Sequence, residues 1–150
     1  MTPNEMYDRL EQTIRSYNPG ANFAQIRAAF DYACSAHKDQ RRKDGSPYVT
    51  HPLAVAQILA EELHLDSESI EAALLHDTIE DTAVTHEDVS RLFSPTVADL
   101  VEGVSKLTRA IFSTSEKEQM ENLRKTFMAM SKDIRVVLIK IADRLHNMRT

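Results

Sequence analysis

The stretch from Ile70 to Thr82 constrains this chain more than any other. Its apolar residues Ile70, Ala72, Ala73, Leu74, Leu75 and Ile79 go nearly all round a helix, the pattern of an element with little solvated face. The same stretch carries His76-Asp77 and, at helical spacing, Glu80-Asp81. At about 100° per residue, Asp77 and Asp81 fall on the line of Ile70, Ala73 and Leu74, while His76 and Glu80 stack on the neighbouring line. An ionised carboxylate in such a place is unfavourable unless it is paired or coordinated. The stretch therefore predicts a buried polar centre, with a metal ion as the partner that resolves it. Taken alone, a His-Asp pair closing a core helix, with Glu80 and Asp81 already in solvent and Asp81-Thr82 as the next N-cap, is the more ordinary reading. The rest of the chain has to decide.

The 150 residues are enough for one domain that needs neither disulfide nor structural metal to build a core. A metal site here would serve chemistry rather than stability. Cys34 stands alone, which excludes an internal disulfide and fits a reducing compartment. No window approaches a membrane span and the N-terminus has no signal-peptide pattern, so the expectation is a cytoplasmic protein with no membrane partner. A net charge of -5 gives no general attraction to nucleic acid, and any polyanion must be met by a local basic cluster. Small anions suit this chain better than duplexes.

Three glycines, five prolines and only short β-branched runs argue for an all-α fold. The periodicity predicts helices over Met6–Tyr17, Phe23–Asp39, Thr50 to about Leu63, Asp66 or Ser67 through the His-Asp pair, a short one capped by Thr85 and Asp88 up to Phe93, and Thr96–Thr108. Residues 40–49 read as a loop with Asp44-Gly45 and Pro47. Ile111 to Lys117 reads as a polar connection that could act as a lid, followed by a helix over Glu118–Met130. In the last helix, Asp133–Thr150, Leu138, Ile141, Leu145 and Met148 form the expected core stripe, with Val136, Lys140, Asp143 and Asn147 opposite.

His51 at a helix start, the His76-Asp77 pair and Asp143 on the last helix lie far apart in sequence, so only the fold can assemble them. Together they offer two imidazoles and two carboxylates without a thiolate. Such a set suits manganese, iron, zinc or magnesium and leaves positions open for water and substrate oxygen. His37, His64, His86 and His146 compete with them. His64 and His86 sit in polar helix-boundary contexts and read as solvated, whereas His37 and His146 are candidates to support a ligand from behind.

Three segments carry a resemblance: Tyr48-Val49-Thr50-His51-Pro52-Leu53, the run from Ala72 to Thr82, and the run from Lys140 to Thr150. They resemble the hydrolase domain of the Rel/SpoT-type stringent-response proteins, which belong to the HD-domain metal-dependent phosphohydrolases. Gly103 to Leu107 and Glu121 to Lys125 follow in order, so the likeness runs from about Phe23 to the end. The resemblance implies an all-α HD-domain helical bundle. It implies that His51, His76, Asp77 and Asp143 hold manganese, that Glu80 and Asp81 help activate water, and that Arg42, Lys43, Asn147 and Thr150 contact nucleotide. The implied reaction removes the 3'-pyrophosphate of guanosine tetra- or pentaphosphate, giving GDP or GTP and pyrophosphate, in stringent-response turnover.

The loop departs from the usual family pattern, with Asp44 where serine is common and Ser46 where glutamate is common. An extra carboxylate beside a polyphosphate would weaken binding or alter base contacts. Residues 1–150 read as a single HD-type hydrolase domain and as an N-terminal fragment of a longer protein with synthetase and regulatory domains. Two other readings stay open: an HD phosphohydrolase of another phosphorylated nucleotide, and a silent regulatory module. Retention of all four ligand candidates and of the acidic pair speaks against the last.

Overall fold

Caps supplied by the sequence set most helix boundaries. In the computed structural model, which describes residues 2–81, 84–111 and 133–150 and omits the side chains of residues 80, 81 and 109–111, the first helix α1 spans Pro3–Tyr17. It starts earlier than apolar periodicity alone predicts, because Thr2 and Glu5 close a reciprocal capping box ahead of Met6. Helix α2 spans Phe23–Ala36 behind the Asn22 cap and stops short of Asp39. Helix α3 spans Thr50–Leu63 and ends where His64 turns left-handed (φ 49°) with its ring against Tyr17.

The stretch from Ile70 to Asp81 is not one helix. Helix α4 covers Ser67–Leu75, and the single turn α5 covers Thr78–Asp81. At the break the His76 amide reaches back only to the Ala73 carbonyl, at 3.5 Å, while the Thr78 hydroxyl donates to the Leu75 carbonyl at 2.7 Å. A threonine side chain thus takes a carbonyl that would otherwise continue the helical ladder. Helix α6, His86–Leu92, carries the predicted Thr85/Asp88 capping box, and α7 spans Pro95–Ile111. Helix α8 spans Arg135–Arg149. The predicted connection over 111–117 beyond Ile111, the helix over 118–130 and the Glu121–Lys125 block lie outside the described residues.

Among the described residues the protein is all-helical, apart from a bridge between Arg41 and Pro47 in the loop before α3. Helix α4 is the centre of the packing, in contact with α2, α3, α7 and α8, while α3 also meets α1 and α8. Seven consecutive residues of α4, Ser69 to Leu75, are buried, as the apolar pattern all round the helix requires. Close approach of α7 and α8 depends on Gly103. A Cβ there would lie 2.8 Å from one Val136 methyl and 3.3 Å from the other.

Glu71 is buried within α4, 1% exposed, and among the described residues its Oε1 has no hydrogen-bond partner. Burial, reinforced by the charges of Glu68 and Asp66, pushes its carboxyl up to about 7 from the usual 4.5. The folded pKa lies above the unfolded one. The side chain therefore favours the fold fully below about pH 4.5, and that contribution is lost as pH rises through about 7. Glu71→Gln should raise stability by on the order of 2 kcal/mol more at pH 8 than at pH 5. Urea midpoints at the two pH values measure this, and an equal shift at both would show that Glu71 finds a partner for its charge.

One expected face is corrected. Of the predicted α8 core stripe, Ile141 and Met148 are 57% and 80% exposed and Leu138 and Leu145 only half-buried, whereas Val136, Ile139, Lys140, Ala142 and Asp143 are buried and Asn147 is exposed. The periodicity marks a helix but not its most buried side. The inward face carries a lysine and an aspartate that neutralise each other, so hydrophobicity alone undervalues it.

Candidate metal centre

The break after α4 is what builds the site. In an unbroken helix, consecutive residues point about 100° apart. Leaving the helix at His76 lets that residue and Asp77 converge. His51 enters from the first turn of α3 and Asp143 from the middle of α8.

Donor atoms of His51, His76 and Asp143 all lie within 4.8 Å of one another. His51 Nε2 is 2.6 Å and His76 Nε2 is 3.3 Å from Asp143 Oδ1. Asp77 stands at the edge of this group, its Oδ2 being 3.2 Å from His76 Nε2 and 3.9 Å from His51 Nε2. His51, His76 and Asp143 are all buried.

Each member is held from behind. His76 Nδ1 donates to the Ala73 carbonyl at 2.6 Å, His51 Nδ1 meets His146 Nδ1 at 2.7 Å, and the Tyr48 hydroxyl donates to Asp77 Oδ2 at 2.8 Å. Lys140, itself buried, donates to Asp143 Oδ2 at 2.8 Å. Such outer partners orient ligands and fix imidazole tautomers.

This arrangement fits a divalent cation. With the Nδ1 proton of His76 committed to Ala73, a neutral ring would aim the Nε2 lone pair at two carboxylate oxygens. Either a cation or a second ring proton must relieve that conflict. Burial opposes the proton, but Asp77, Asp143 and the Ala73 carbonyl outweigh it and raise His76 to about 9. Burial likewise pushes the Asp143 carboxyl up, yet hydrogen bonds from His51, His76 and Lys140 hold it far below the usual carboxylate range. His146 is lowered to about 4, by burial first and then by His51 and Arg42.

The loop of residues 41–47 is folded back on itself. Arg42 and Ser46 share a backbone bond, Gly45 takes φ 90°, and the Asp44 carboxylate accepts from both the amide and the hydroxyl of Ser46. The two departures from the usual family loop thus bind each other. Arg42 Nη2 donates to the Thr150 hydroxyl at 3.2 Å, bringing together two residues predicted to contact nucleotide. Asn147, one turn beyond Asp143, and Lys43 are both exposed. The backbone of Glu80 and Asp81 lies in α5, and their side chains are outside the described set.

Of the competing histidines, only His146 meets a ligand candidate directly. His64 is exposed, and His86 bonds Asp99 at a partly solvated surface beside Glu102, whose other oxygen is taken by Lys106. His37 is buried against the Tyr48 ring, with Nδ1 2.8 Å from Gln40 Oε1. Sequence reasoning missed Tyr48. Its place three residues before His51 was the available signal, since one turn there faces the same centre.

The family profile described as HD domain matches residues 29–150. The chain belongs to the HD-domain family. This HD domain is 52% identical over 145 residues to the bifunctional (p)ppGpp synthase/hydrolase SpoT of Escherichia coli K12, covering 97% of the chain and 20% of that relative. It is 48% identical over 141 residues to the GTP pyrophosphokinase rsh of Brucella melitensis, covering 94% of the chain and 19% of the relative. The chain thus spans about one fifth of the length of these curated relatives. A solved structure described as a metazoan ortholog of SpoT that hydrolyses ppGpp superposes with a TM-score of 0.65 at 37% identity, over 84% of this chain and 69% of that one. Within the HD-domain family, the chain groups by similarity with the SpoT-type proteins.

Proposed function

We propose that this HD domain removes the 3'-pyrophosphate of guanosine tetra- or pentaphosphate, yielding GDP or GTP and pyrophosphate. Convergence of His51, His76 and Asp143, with Asp77 alongside, carries this reading, because their donor atoms surround one centre and their outer partners turn them inward. The names of the SpoT-type relatives supply the substrate class. In this reading the four residues hold manganese. When bound, such an ion lowers the pKa of water and offsets charge on a phosphoryl oxygen.

Glu80 and Asp81 take the proton from the attacking water, and Arg42, Lys43, Asn147 and Thr150 meet the nucleotide. Tyr48 keeps one Asp77 oxygen directed by its hydrogen bond, and Lys140 does the same for Asp143. The Asp44 carboxylate is engaged by Ser46, so it repels substrate phosphate less than a free carboxylate would. Residues 1–150 act as a hydrolase domain beside synthetase and regulatory parts of a longer cytoplasmic protein. The share of the relatives that the chain spans supports that arrangement, as does the bifunctional name of one of them.

The test is incubation with manganese and guanosine tetraphosphate, alongside a panel of other nucleotides. GDP and pyrophosphate are the expected products. Turnover of another nucleotide in preference, or no turnover of any, would overturn the substrate reading. Arg42→Ala should raise KM about tenfold or more, the scale of a charge-assisted hydrogen bond, with manganese content unchanged. Unaltered kinetics would return the loop to solvent.

A further inference from the structure

His146 follows Asp143 by three residues on α8, and its Nδ1 lies 2.7 Å from His51 Nδ1. The two nitrogens are much closer than the ring centres, which are 5.0 Å apart at an interplanar angle of 29°. The rings therefore meet edge to edge, the geometry of an N–H···N hydrogen bond. A contact this short holds one proton, because two lone pairs or two N–H groups facing each other would repel.

His51 decides which ring donates. Its Nε2, 2.6 Å from Asp143 Oδ1, is the nitrogen turned into the donor cluster. A cation there takes the Nε2 lone pair, so the remaining proton of the neutral ring sits on Nδ1 and His146 Nδ1 must accept it. We infer that His146 is the positioning residue for His51: a neutral acceptor, protonated on its own Nε2, that does for His51 what the Ala73 carbonyl does for His76. The inference rests on the proposed ligand role of His51.

Without a cation, His51 Nε2–H donates to Asp143 and His146 Nδ1–H donates to His51. Loading would move both rings to the other tautomer: the His51 Nε2 proton would be released to solvent, the shared proton would pass from His146 Nδ1 to His51 Nδ1, and His146 Nε2 would take up a proton from solvent, so that each ring keeps one proton.

The test compares His146→Leu, which has no acceptor, with His146→Gln, whose side-chain carbonyl can accept. Manganese affinity is read from the electron paramagnetic resonance of the free ion, and ring protonation from imidazole nitrogen NMR of the wild-type protein loaded with zinc. The leucine variant should bind manganese about 10-fold more weakly or worse, and glutamine should restore most of the affinity. The loaded wild type should show His51 protonated at Nδ1 and His146 at Nε2. Wild-type affinity in the leucine variant overturns the inference, as does equal weakening in both variants, which would make the role packing alone. If the leucine variant does not fold, the wild-type tautomers decide. A His51 Nε2 free of metal in the loaded protein would overturn the ligand assignment as well, whereas a metal-bound His51 beside an unaffected leucine variant overturns this inference alone.

Discussion

Asp143→Asn should abolish manganese binding and reduce guanosine tetraphosphate hydrolysis to background. Asp143 Oδ1 is the atom on which both imidazole Nε2 atoms converge, at 2.6 and 3.3 Å, so no other residue can substitute for it without rebuilding the centre. Its Oδ2 neutralises buried Lys140. Alanine would leave that lysine uncompensated, a cost of about 3–5 kcal/mol in a domain whose whole stability is roughly 5–15 kcal/mol. Asparagine keeps the side-chain volume and an acceptor for Lys140, and so separates loss of metal from loss of fold. Manganese stoichiometry, circular dichroism and GDP release on the same preparation measure all three. A folded Asp143→Asn protein with a full complement of manganese would remove Asp143 from the ligand set. Chelator treatment of the wild-type protein should reproduce the same loss, and added manganese should reverse it.

Glu80→Gln and Asp81→Asn should separate the two functions in the opposite sense, keeping manganese while losing about 10²- to 10⁴-fold in rate, the usual contribution of a positioned general acid or base. Helix α5 places their backbone three and four residues beyond Asp77, one turn from a candidate ligand. Single-turnover rates with manganese content determined in parallel are the measurement. If rate and metal fall together, these residues are ligands, and if neither falls, the proton leaves by another route.

Much of this protein is legible along the chain because local chemistry decides it. The Thr85/Asp88 cap starts α6 as expected, and the apolar run in α4 predicts an element buried on every side. The four ligand candidates were also nameable in advance, through the resemblance carried by the segments around His51, His76 and Asp143. Glu71 escaped attention because a lone glutamate in an apolar helix reads as a solvated residue until its neighbours are known.

By its own composition and periodicity the sequence determined an all-α chain with its polar centre near the His-Asp pair, since helix propensity, capping and apolar spacing act over a few residues. Tertiary structure alone decided that α8 turns Lys140 and Asp143 inward while Ile141 and Met148 face out, and that Tyr48 and His146 stand behind Asp77 and His51. The physical reason is common to both. A buried polar side chain is favoured where the fold brings it a partner that spacing along the chain does not announce, and the partners are 29, 67, 92 and 95 residues apart in the contacts Tyr48–Asp77, His76–Asp143, His51–Asp143 and His51–His146.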